Sequence, residues 1–135
     1  MSYLLDTNTC IRYLNDRDSS VSRRLRLVNP SDVILCSVVK AELYFGAYHS
    51  SRREGNLALL EDFFGRFVSL PFDDEAAKVY GNLRAQLQAS GTPIGSNDLL
   101  IASIALACNV TMVTHNVREF SQVPGLQIED WETGP

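Results

Sequence analysis

The sequence predicts a three-layer α/β/α sandwich built on a mostly parallel sheet of four or five strands. Short apolar runs without polar alternation, such as Val33–Cys36, are typical of strands that are covered on both faces. Segments of helical length, with apolar residues three or four positions apart, separate these runs, which indicates βα units and parallel connections. The 135 residues suit one core, so we expect a single domain over residues 1–135.

The first half of the chain contains two predicted strands and four predicted helices. The first strand ends on Asp6, and Thr7 or Asn8 is the expected cap of the helix that follows it. Ser37 is the expected cap of the helix after the second strand. In order, these elements are strand 4–5, helices 9–14 and 20–28, strand 33–36, and helices 38–48 and 56–64.

The second half contains three further predicted strands. One helix begins with Asp73-Asp74-Glu75, three acids in a first turn where the helix dipole favours negative charge. Ser96 is the expected cap of the next helix, and Trp131 is expected to pack the C-terminus against the domain. In order, these elements are strand 67–70, helices 73–89 and 97–108, strand 110–114, one helical turn at 117–120 and an edge strand at 126–128.

Composition excludes some classes of protein. No stretch approaches the roughly 20 apolar residues that span a bilayer, and the N-terminus has no basic region or room for a signal peptide. We therefore expect a cytoplasmic protein with no membrane partner. The three cysteines, Cys10, Cys36 and Cys108, form no CxxC pair and have apolar neighbours, which favours buried free thiols over a disulfide framework.

The formal net charge of −4 argues against a nucleic-acid partner, but the charge is unevenly distributed. Residues 1–66 carry nine Lys/Arg and eight Asp/Glu, whereas residues 67–135 carry three and eight. Basic residues form two clusters that either meet a phosphate backbone or form a solvated helix face. The clusters are Arg23, Arg24 and Arg26, and Arg52 and Arg53.

Three acids emerge from apolar segments. Asp6 stands at the end of a strand, where open parallel sheets bind ligands. Glu42 has apolar neighbours on its helix, where a carboxylate is costly unless it is paired or binds a cation. Asp98 opens a helix with a buried face. Taken alone, Glu42 is better explained by a side chain at the helix edge that reaches water, and Asp98 has a strong alternative explanation in the helix dipole.

Oxygen ligands of this kind suit Mg²⁺ or Mn²⁺ rather than zinc, which usually brings Cys or His. Such cations activate water and stabilise the leaving oxygen in phosphodiester hydrolysis. Asn116 follows the fourth strand, where a ligand at a strand end would stand, and Glu119 lies three residues further on. Turn formation and surface exposure explain this pair equally well. His115 is better explained as a half-exposed turn residue than as a ligand.

Five short motifs occur in order along the chain. They are Leu4-Leu5-Asp6-Thr7-Asn8, Lys40-Ala41-Glu42-Leu43, Pro93-Ile94-Gly95 with Asp98 and Ile101-Ala102, Thr114-His115-Asn116 with Glu119-Phe120, and Leu126-Gln127-Ile128-Glu129-Asp130-Trp131. Together they resemble the PIN-domain ribonucleases, and most closely the VapC toxins of bacterial type II toxin–antitoxin systems. Each motif is weak alone, but the ordered set covers essentially the whole chain at family-like spacing.

The resemblance implies a PIN-like α/β/α sandwich and a Mg²⁺- or Mn²⁺-dependent endoribonuclease, with tRNA as the expected RNA substrate. The catalytic, metal-binding acids of the family correspond to Asp6, Glu42 and Asp98. The family often has a further acid where this chain has Asn116. Either Glu119 supplies the missing carboxylate or only one metal binds tightly. The small polar positions that line the family's site correspond to Thr7, Asn8 and Thr114, with Asn116 beside them.

The same resemblance implies partners. We expect a homodimer that is neutralised by a VapB-type antitoxin, whose C-terminal segment covers the active site. DNA is contacted only indirectly, through the antitoxin, when the complex represses its own operon. An acidic pocket repels RNA unless cations occupy it, so cleavage should require the metal. The two arginine clusters are then candidates to hold flanking phosphates.

Two other interpretations remain open at this point. A catalytically impaired PIN-like module that binds RNA or a partner is supported by Asn116 in place of an acid. A phosphoryl-transfer or receiver-type domain also begins with a strand-end Asp, but it needs a second acid beside Asp6 and a suitably placed lysine. The sequence Thr7-Asn8 and a total of two lysines, Lys40 and Lys78, argue against it.

Overall fold

The computed structural model describes residues 1–133, and its five strands form one sheet in the order β3-β2-β1-β4-β5. All four strand pairings are parallel, and central β1 pairs Leu4 with Ile34 on one side and with Met112 on the other. The predicted α/β class with a parallel sheet is therefore confirmed. The strands are β1 (Tyr3–Leu5), β2 (Val33–Cys36), β3 (Val68–Leu70), β4 (Thr111–Val113) and β5 (Ile128–Glu129).

Helices connect the strands and cover the sheet. Within residues 1–133, no helix combines the length and the apolar character that crossing a membrane requires. The helices are α1 (Thr7–Asn15), α2 (Ser20–Leu27), α3 (Ser37–His49), α4 (Arg53–Phe64), α5 (Asp74–Ala89), α6 (Ser96–Ala107) and α7 (Val117–Phe120), with a 3₁₀ turn at Pro30–Asp32.

Some predicted boundaries were wrong, each for a local reason. Helix α4 begins at Arg53 rather than at residue 56, because its first turn is polar and the apolar spacing becomes visible only from Leu57. Strand β5 covers residues 128–129 rather than 126–128, because the Leu126 N–H donates to the Val123 carbonyl at 3.3 Å within the preceding turn.

The predicted helix caps were also wrong at three positions. Helix α1 is capped by Asp6, whose carboxylate accepts a hydrogen bond from the Thr9 N–H, and not by residue 7 or 8. Helices α3 and α6 begin at Ser37 and Ser96 themselves, and neither has a side-chain cap hydrogen bond. Asp6, at the end of β1, therefore caps α1, a role that the sequence had suggested for Thr7 or Asn8.

Helix α6 anchors one side of the candidate site to the core. It is apolar around much of its circumference, as expected for a helix buried between other elements. Its residues Ile101, Ala102, Ile104 and Ala105 are completely buried. Asp98 lies in the first turn of this helix, so its position is fixed relative to the sheet.

The predicted packing of Trp131 is confirmed, whereas the prediction for the three cysteines is partly wrong. Trp131 is buried, and its ring packs edge-on against Tyr3 with centroids 5.3 Å apart, so the predicted C-terminal packing is confirmed. Cys10 and Cys36 are buried free thiols as expected, but Cys108 is exposed. Cys108 is the C-cap of α6, where the chain turns across the surface before β4.

The Asp73→Ala substitution is expected to lower the free energy of unfolding by about 1 kcal/mol. The Asp73 carboxylate accepts a hydrogen bond from the Ala76 N–H at 3.0 Å and caps α5. Asp74→Ala is the matched control, because Asp74 lies in the same first turn but is not the cap. Urea unfolding measures both variants, and equal losses of stability would contradict the capping role.

Candidate active site

Asp6 is both the last sheet-bonded residue of the first βα unit and the cap of its helix. Its N–H donates to the Val113 carbonyl of β4 at 3.1 Å, and its own carbonyl accepts from the Cys10 N–H at 3.1 Å. Its carboxylate Oδ1 accepts from the Thr9 N–H at 2.8 Å. These bonds hold the carboxyl group at the C-terminal end of β1, as the sequence predicted.

Burial makes the Asp6 carboxylate electrostatically costly. Only 4% of the residue is exposed, and this loss of water raises the pKa of Asp6 above its ordinary value of 3.8. Hydrogen bonds from Thr114 and Thr9 act in the opposite direction, while the negative charge of Glu42 raises the pKa further. A positive charge nearby would therefore stabilise the ionised form.

Glu42 is held by its neighbours and does not extend freely into water. The Thr7 hydroxyl donates to its Oε1, and the Asn97 Nδ2 donates to its Oε2 at 3.3 Å. These contacts join α3 to the starts of α1 and α6. Thr7, a predicted site residue, therefore lies beside Glu42, whereas the sequence did not single out Asn97. Its only signal in the sequence was its place next to Asp98.

Asp98 and Glu119 form the second half of the acidic cluster. The pKa of Asp98 is raised to about 7, first by burial, then by the charge and hydrogen bond of Glu119, and then by the charges of Asp6 and Glu42. Four carboxyl groups from four separate parts of the chain therefore act on one another. Sequence spacing suggested this convergence, and the electrostatic coupling is consistent with it.

Asn116 positions Glu119. The Asn116 Nδ2 donates to Glu119 Oε2 at 3.0 Å, and the Gly95 N–H donates to Oε1 at 3.1 Å. Thr114 ties the segment that carries Asn116 and Glu119 to the sheet. Its Oγ1 accepts from the Asn116 N–H at 3.0 Å, and its N–H donates to the Glu129 carbonyl of β5 at 2.9 Å. The carboxylate on this side of the cluster thus comes from Glu119.

The remaining candidates lie at the margin. His115 is exposed, and its Nδ1 lies 3.0 Å from Asp130 Oδ2, a hydrogen bond that raises the pKa of His115. It therefore pairs with the C-terminal segment. Asn8 is exposed and, with Glu42 and Asn97, lines a cavity of about 560 Å³ beside the acids.

The donor set fits a hard divalent cation that keeps part of its water shell. The charged groups that shift the pKa of Asp6 and Asp98 are all carboxylates, and hard cations prefer oxygen ligands. Within residues 1–133, no three Asp, Glu, His or Cys side chains converge closely enough to enclose one ion. Mg²⁺ typically keeps several waters and uses one or two carboxylates, so this arrangement suits it.

The backbone of Gly95 lies close to the carboxylates of Asp98 and Glu119. A Cβ atom at this position would lie 3.6 Å from Asp98 Oδ2 and 4.0 Å from Glu119 Oε1. A Cβ atom would therefore make ordinary van der Waals contact with both carboxylates, which shows how closely the backbone approaches them. Gly95 was noted in the sequence only as part of a motif, and its proximity to Glu119 could not be read from spacing.

The five candidate arginines do not join the hydrogen bonds of the acids. Arg24 pairs with Glu129 at 3.1 Å, while Arg23 and Arg26 donate to the backbone carbonyls of Asp18 and Arg17. Arg52 and Arg53 are exposed at the start of α4, beside a separate cavity of about 470 Å³. Their role as contacts to flanking phosphates stays a prediction.

Comparison with known proteins identifies the family. The PIN domain family model matches residues 3–126. The chain belongs to the PIN-domain family. The relatives of this PIN domain include Ribonuclease VapC2 of Rickettsia felis, 40% identical over 98% of this chain and 99% of that protein. They also include the tRNA(fMet)-specific endonuclease VapC of Salmonella typhimurium, 40% identical over 97% of this chain and 98% of that protein.

Solved structures of VapC-type PIN domains have the same fold. The DNA-bound VapBC of Salmonella typhimurium matches with a TM-score of 0.92 at 40% identity, over 97% of this chain and 98% of that chain. VapBC2 of Rickettsia felis, bound to a DNA fragment from its promoter, matches with a TM-score of 0.91 at 39% identity, over 97% and 99%. The chain is thus a VapC-type PIN-domain ribonuclease, a class of metal-dependent nucleases, and the receiver-type interpretation is excluded.

In the metal-free protein, Asp98 is expected to titrate near pH 7, and Glu119→Gln should lower its pKa by removing a negative charge. Because the folded pKa lies above 3.8, the stabilisation from this group is fully present below about pH 4 and is lost as the pH rises through about 7. NMR titration of the carboxyl carbon measures the pKa, and urea unfolding at several pH values measures the stability.

Glu54→Gln is the control for this titration, because Glu54 is an exposed acid in the first turn of α4. It should leave the pKa of Asp98 unchanged. An Asp98 pKa that is the same in Glu119→Gln and in the wild type would contradict the coupling of the two acids.

Proposed function

We propose that this PIN domain, spanning residues 1–135, is the toxin of a VapBC-type toxin–antitoxin system that cleaves tRNA in the cytoplasm. The observation that carries the proposal is the convergence of Asp6, Glu42, Asp98 and Glu119 near the C-terminal end of the central strand β1. Thr7, next to Asp6, donates to Glu42, and Gly95 lies close to both Asp98 and Glu119. A VapC relative in Salmonella typhimurium is named for tRNA(fMet), so initiator tRNA is the first substrate to test.

Asp6 and Asp98 are the proposed metal-binding residues, with Glu119 as a further candidate ligand. They belong to different elements, β1–α1 and α6, and each has a pKa raised by burial and by neighbouring carboxylates. A cation near both offsets that repulsion and favours their ionised forms. Glu119 is held by Asn116 and Gly95 with its carboxylate next to Asp98.

Glu42 is proposed to orient water at the scissile phosphate. Thr7 and Asn97 fix its two carboxylate oxygens, so the group has one orientation and unused lone pairs. A bound divalent cation supplies a polarised water and neutralises charge on the phosphate. The buried Thr114 supports this arrangement through its hydrogen bond to Asp6, and Asn8 borders the cavity where the RNA would enter.

Mg²⁺ or Mn²⁺ is the proposed cofactor. Each suits carboxylate and water ligands, whereas zinc usually takes Cys or His ligands. The exclusively carboxylate environment of Asp98 supports the harder cations. The impaired-module alternative loses its support, because Asn116 holds a carboxylate in the site and does not merely replace one.

A VapB-type antitoxin and a second copy of the chain are the proposed protein partners. The related structures from Salmonella typhimurium and Rickettsia felis are VapBC complexes on DNA. An apolar cavity of about 220 Å³ lies next to Glu42 and is lined in part by Ile11, Leu43 and Leu59. It suits an apolar antitoxin segment placed beside the acids. DNA contact then comes through the antitoxin, consistent with the net charge of −4.

Asp6→Asn is expected to lower kcat/KM for tRNA by more than about 100-fold, because even outer-shell partners of a metal contribute about 10- to 100-fold. The amide oxygen of Asn still caps α1, so the melting temperature should not fall substantially. Asp73→Asn makes the same change at the cap of α5, away from the acids, and should keep full activity. An Asp6→Asn variant whose kcat/KM for tRNA stays within about tenfold of the wild type would falsify the assignment.

Chelation is expected to abolish cleavage, and Mg²⁺ or Mn²⁺ should restore it while Zn²⁺ does not. Binding has a second readout, because a cation at 100 times its Kd stabilises the fold by about 2.7 kcal/mol and raises the melting temperature. Asp98→Asn should lose this thermal shift, whereas Asp73→Asn should keep it. An unchanged shift in Asp98→Asn would remove Asp98 from the ligand set.

A further inference from the structure

A cluster of arginines lies near the N-terminal ends of the strands, whereas the acids lie near the C-terminal ends. Arg66 lies two residues before β3, and Pro30 begins the turn before β2, so both lie near the N-terminal ends of parallel strands. The acids follow the C-terminal ends. Helix α1 has nine residues and runs from one end of the strands toward the other, a distance of about 14 Å. We call this region the arginine cleft, formed by Tyr13, Arg17, Arg26 and Arg66.

Tyr13 is the fixed centre of the arginine cleft. It is only 7% exposed, and its ring stacks on Phe63 with centroids 5.4 Å apart. Its hydroxyl oxygen accepts from Arg17 Nη1 at 3.1 Å and from Arg66 Nη1 at 3.3 Å. The Arg17 guanidinium also lies 4.5 Å from the centre of the same ring. One buried side chain therefore positions two guanidinium groups.

Arg26 brings a third positive charge. Its Nη1 donates to the Arg17 carbonyl at 3.0 Å. A cavity of about 360 Å³ is lined by Tyr13, Leu25, Arg26, Pro30, Arg66 and Phe67. Arg17 does not line this cavity but is held beside it by the Tyr13 hydroxyl and ring. The basic cluster that the sequence suggested is therefore divided, since Arg24 pairs with Glu129 while Arg26 faces this cavity.

The positive charge of the cleft is only partly balanced. Within residues 1–133, Arg66 is the one member with a carboxylate within 4 Å, namely the exposed Asp62 at 2.7 Å. The guanidinium groups of Arg17 and Arg66 both donate to the Tyr13 hydroxyl, and bringing two positive charges this close costs free energy. An anion bound between them would offset that cost. Guanidinium groups match phosphate oxygens through paired N–H donors, so phosphate is the anion that they suit best.

We propose that the arginine cleft is an exosite that holds a backbone phosphate of the RNA substrate, away from the bond that is cut. The inference rests on the proposed ribonuclease function. A chain with a net charge of −4 and an acidic active site repels RNA over much of its surface. A fixed cationic cleft at the other end of the strands offsets this repulsion. It does so only for an RNA large enough to contact both the cleft and the acidic active site, such as a folded tRNA.

The test substitutes Arg17→Gln and Arg66→Gln together and measures kcat and KM for tRNA and for a short oligonucleotide that spans the mapped cleavage site. For tRNA, KM should rise about tenfold and the slope of log KM against log salt concentration should fall by about 1, as expected for the loss of one phosphate contact, with kcat unchanged. The oligonucleotide has about two nucleotides on each side of the cut and extends only about 7 Å from it, short of the roughly 14 Å length of α1, so its KM should not change. Arg17→Lys with Arg66→Lys keeps the charge and should restore most of the salt slope.

Arg84→Gln is the matched control. Arg84 is also an exposed arginine whose Nη1 donates to a tyrosine hydroxyl, that of Tyr80 at 3.2 Å, but it lies on α5 without the other arginines. Its KM for tRNA should equal that of the wild type. Melting temperatures of all variants confirm that they fold. Equal KM values for tRNA in the double Gln variant and in the wild type would overturn the exosite.

Two other outcomes would also overturn it. Inorganic phosphate could raise the melting temperature of the wild type but not of the double Gln variant while the KM for tRNA stays equal, in which case the cleft binds free phosphate. The double Gln variant could instead bind the antitoxin more weakly with an unchanged KM for tRNA, which would make the cleft a protein contact. A wild-type protein that cuts no RNA would contradict the proposed function itself, a result distinct from all of these.

Discussion

The hydrogen bond from the Thr9 N–H to the Asp6 carboxylate joins the fold of this domain to its chemistry. It caps α1, and it also fixes a nearly buried acid at the end of the central strand, between β2 and β4. Because β1 pairs with both of those strands, any shift of Asp6 would disturb the centre of the sheet. The position of the proposed metal ligand is therefore as rigid as the core itself.

The other acids are held by polar neighbours that neutralise no charge. Glu42 accepts from a hydroxyl and an amide, and Glu119 accepts from a backbone N–H and an amide. These donors orient the carboxylates but leave their mutual repulsion, which adds to burial in raising the pKa of Asp98. Such preorganised repulsion is what a cation relieves on binding, so affinity for the metal and the folding stability of this domain are coupled.

The fold and the placement of the acids were predictable where the signal is local. Apolar runs gave the strands, helical spacing gave most helices, and the strand-end rule placed Asp6 correctly. Contacts between distant segments were not predictable. Three such features depend on side-chain directions after packing. Asn116 donates a hydrogen bond to Glu119, Asn97 donates one to Glu42, and the arginines that cluster in the sequence separate in space. The end of α6 was predicted to within one residue, but apolar neighbours do not reveal that the Cys108 side chain at this end is exposed.

The brace provided by β5 has a consequence for biosynthesis. The loop that carries Glu119 is held through Thr114 by the Glu129 carbonyl, so residues close to the C-terminus complete a site that begins at Asp6. Domains fold as units while the chain emerges from the ribosome, N-terminal residues first. A nascent chain that still lacks its final strand has its first acid in place but no braced Glu119 loop. The site therefore stays incomplete until residues 128–129 have been synthesised and have paired with β4.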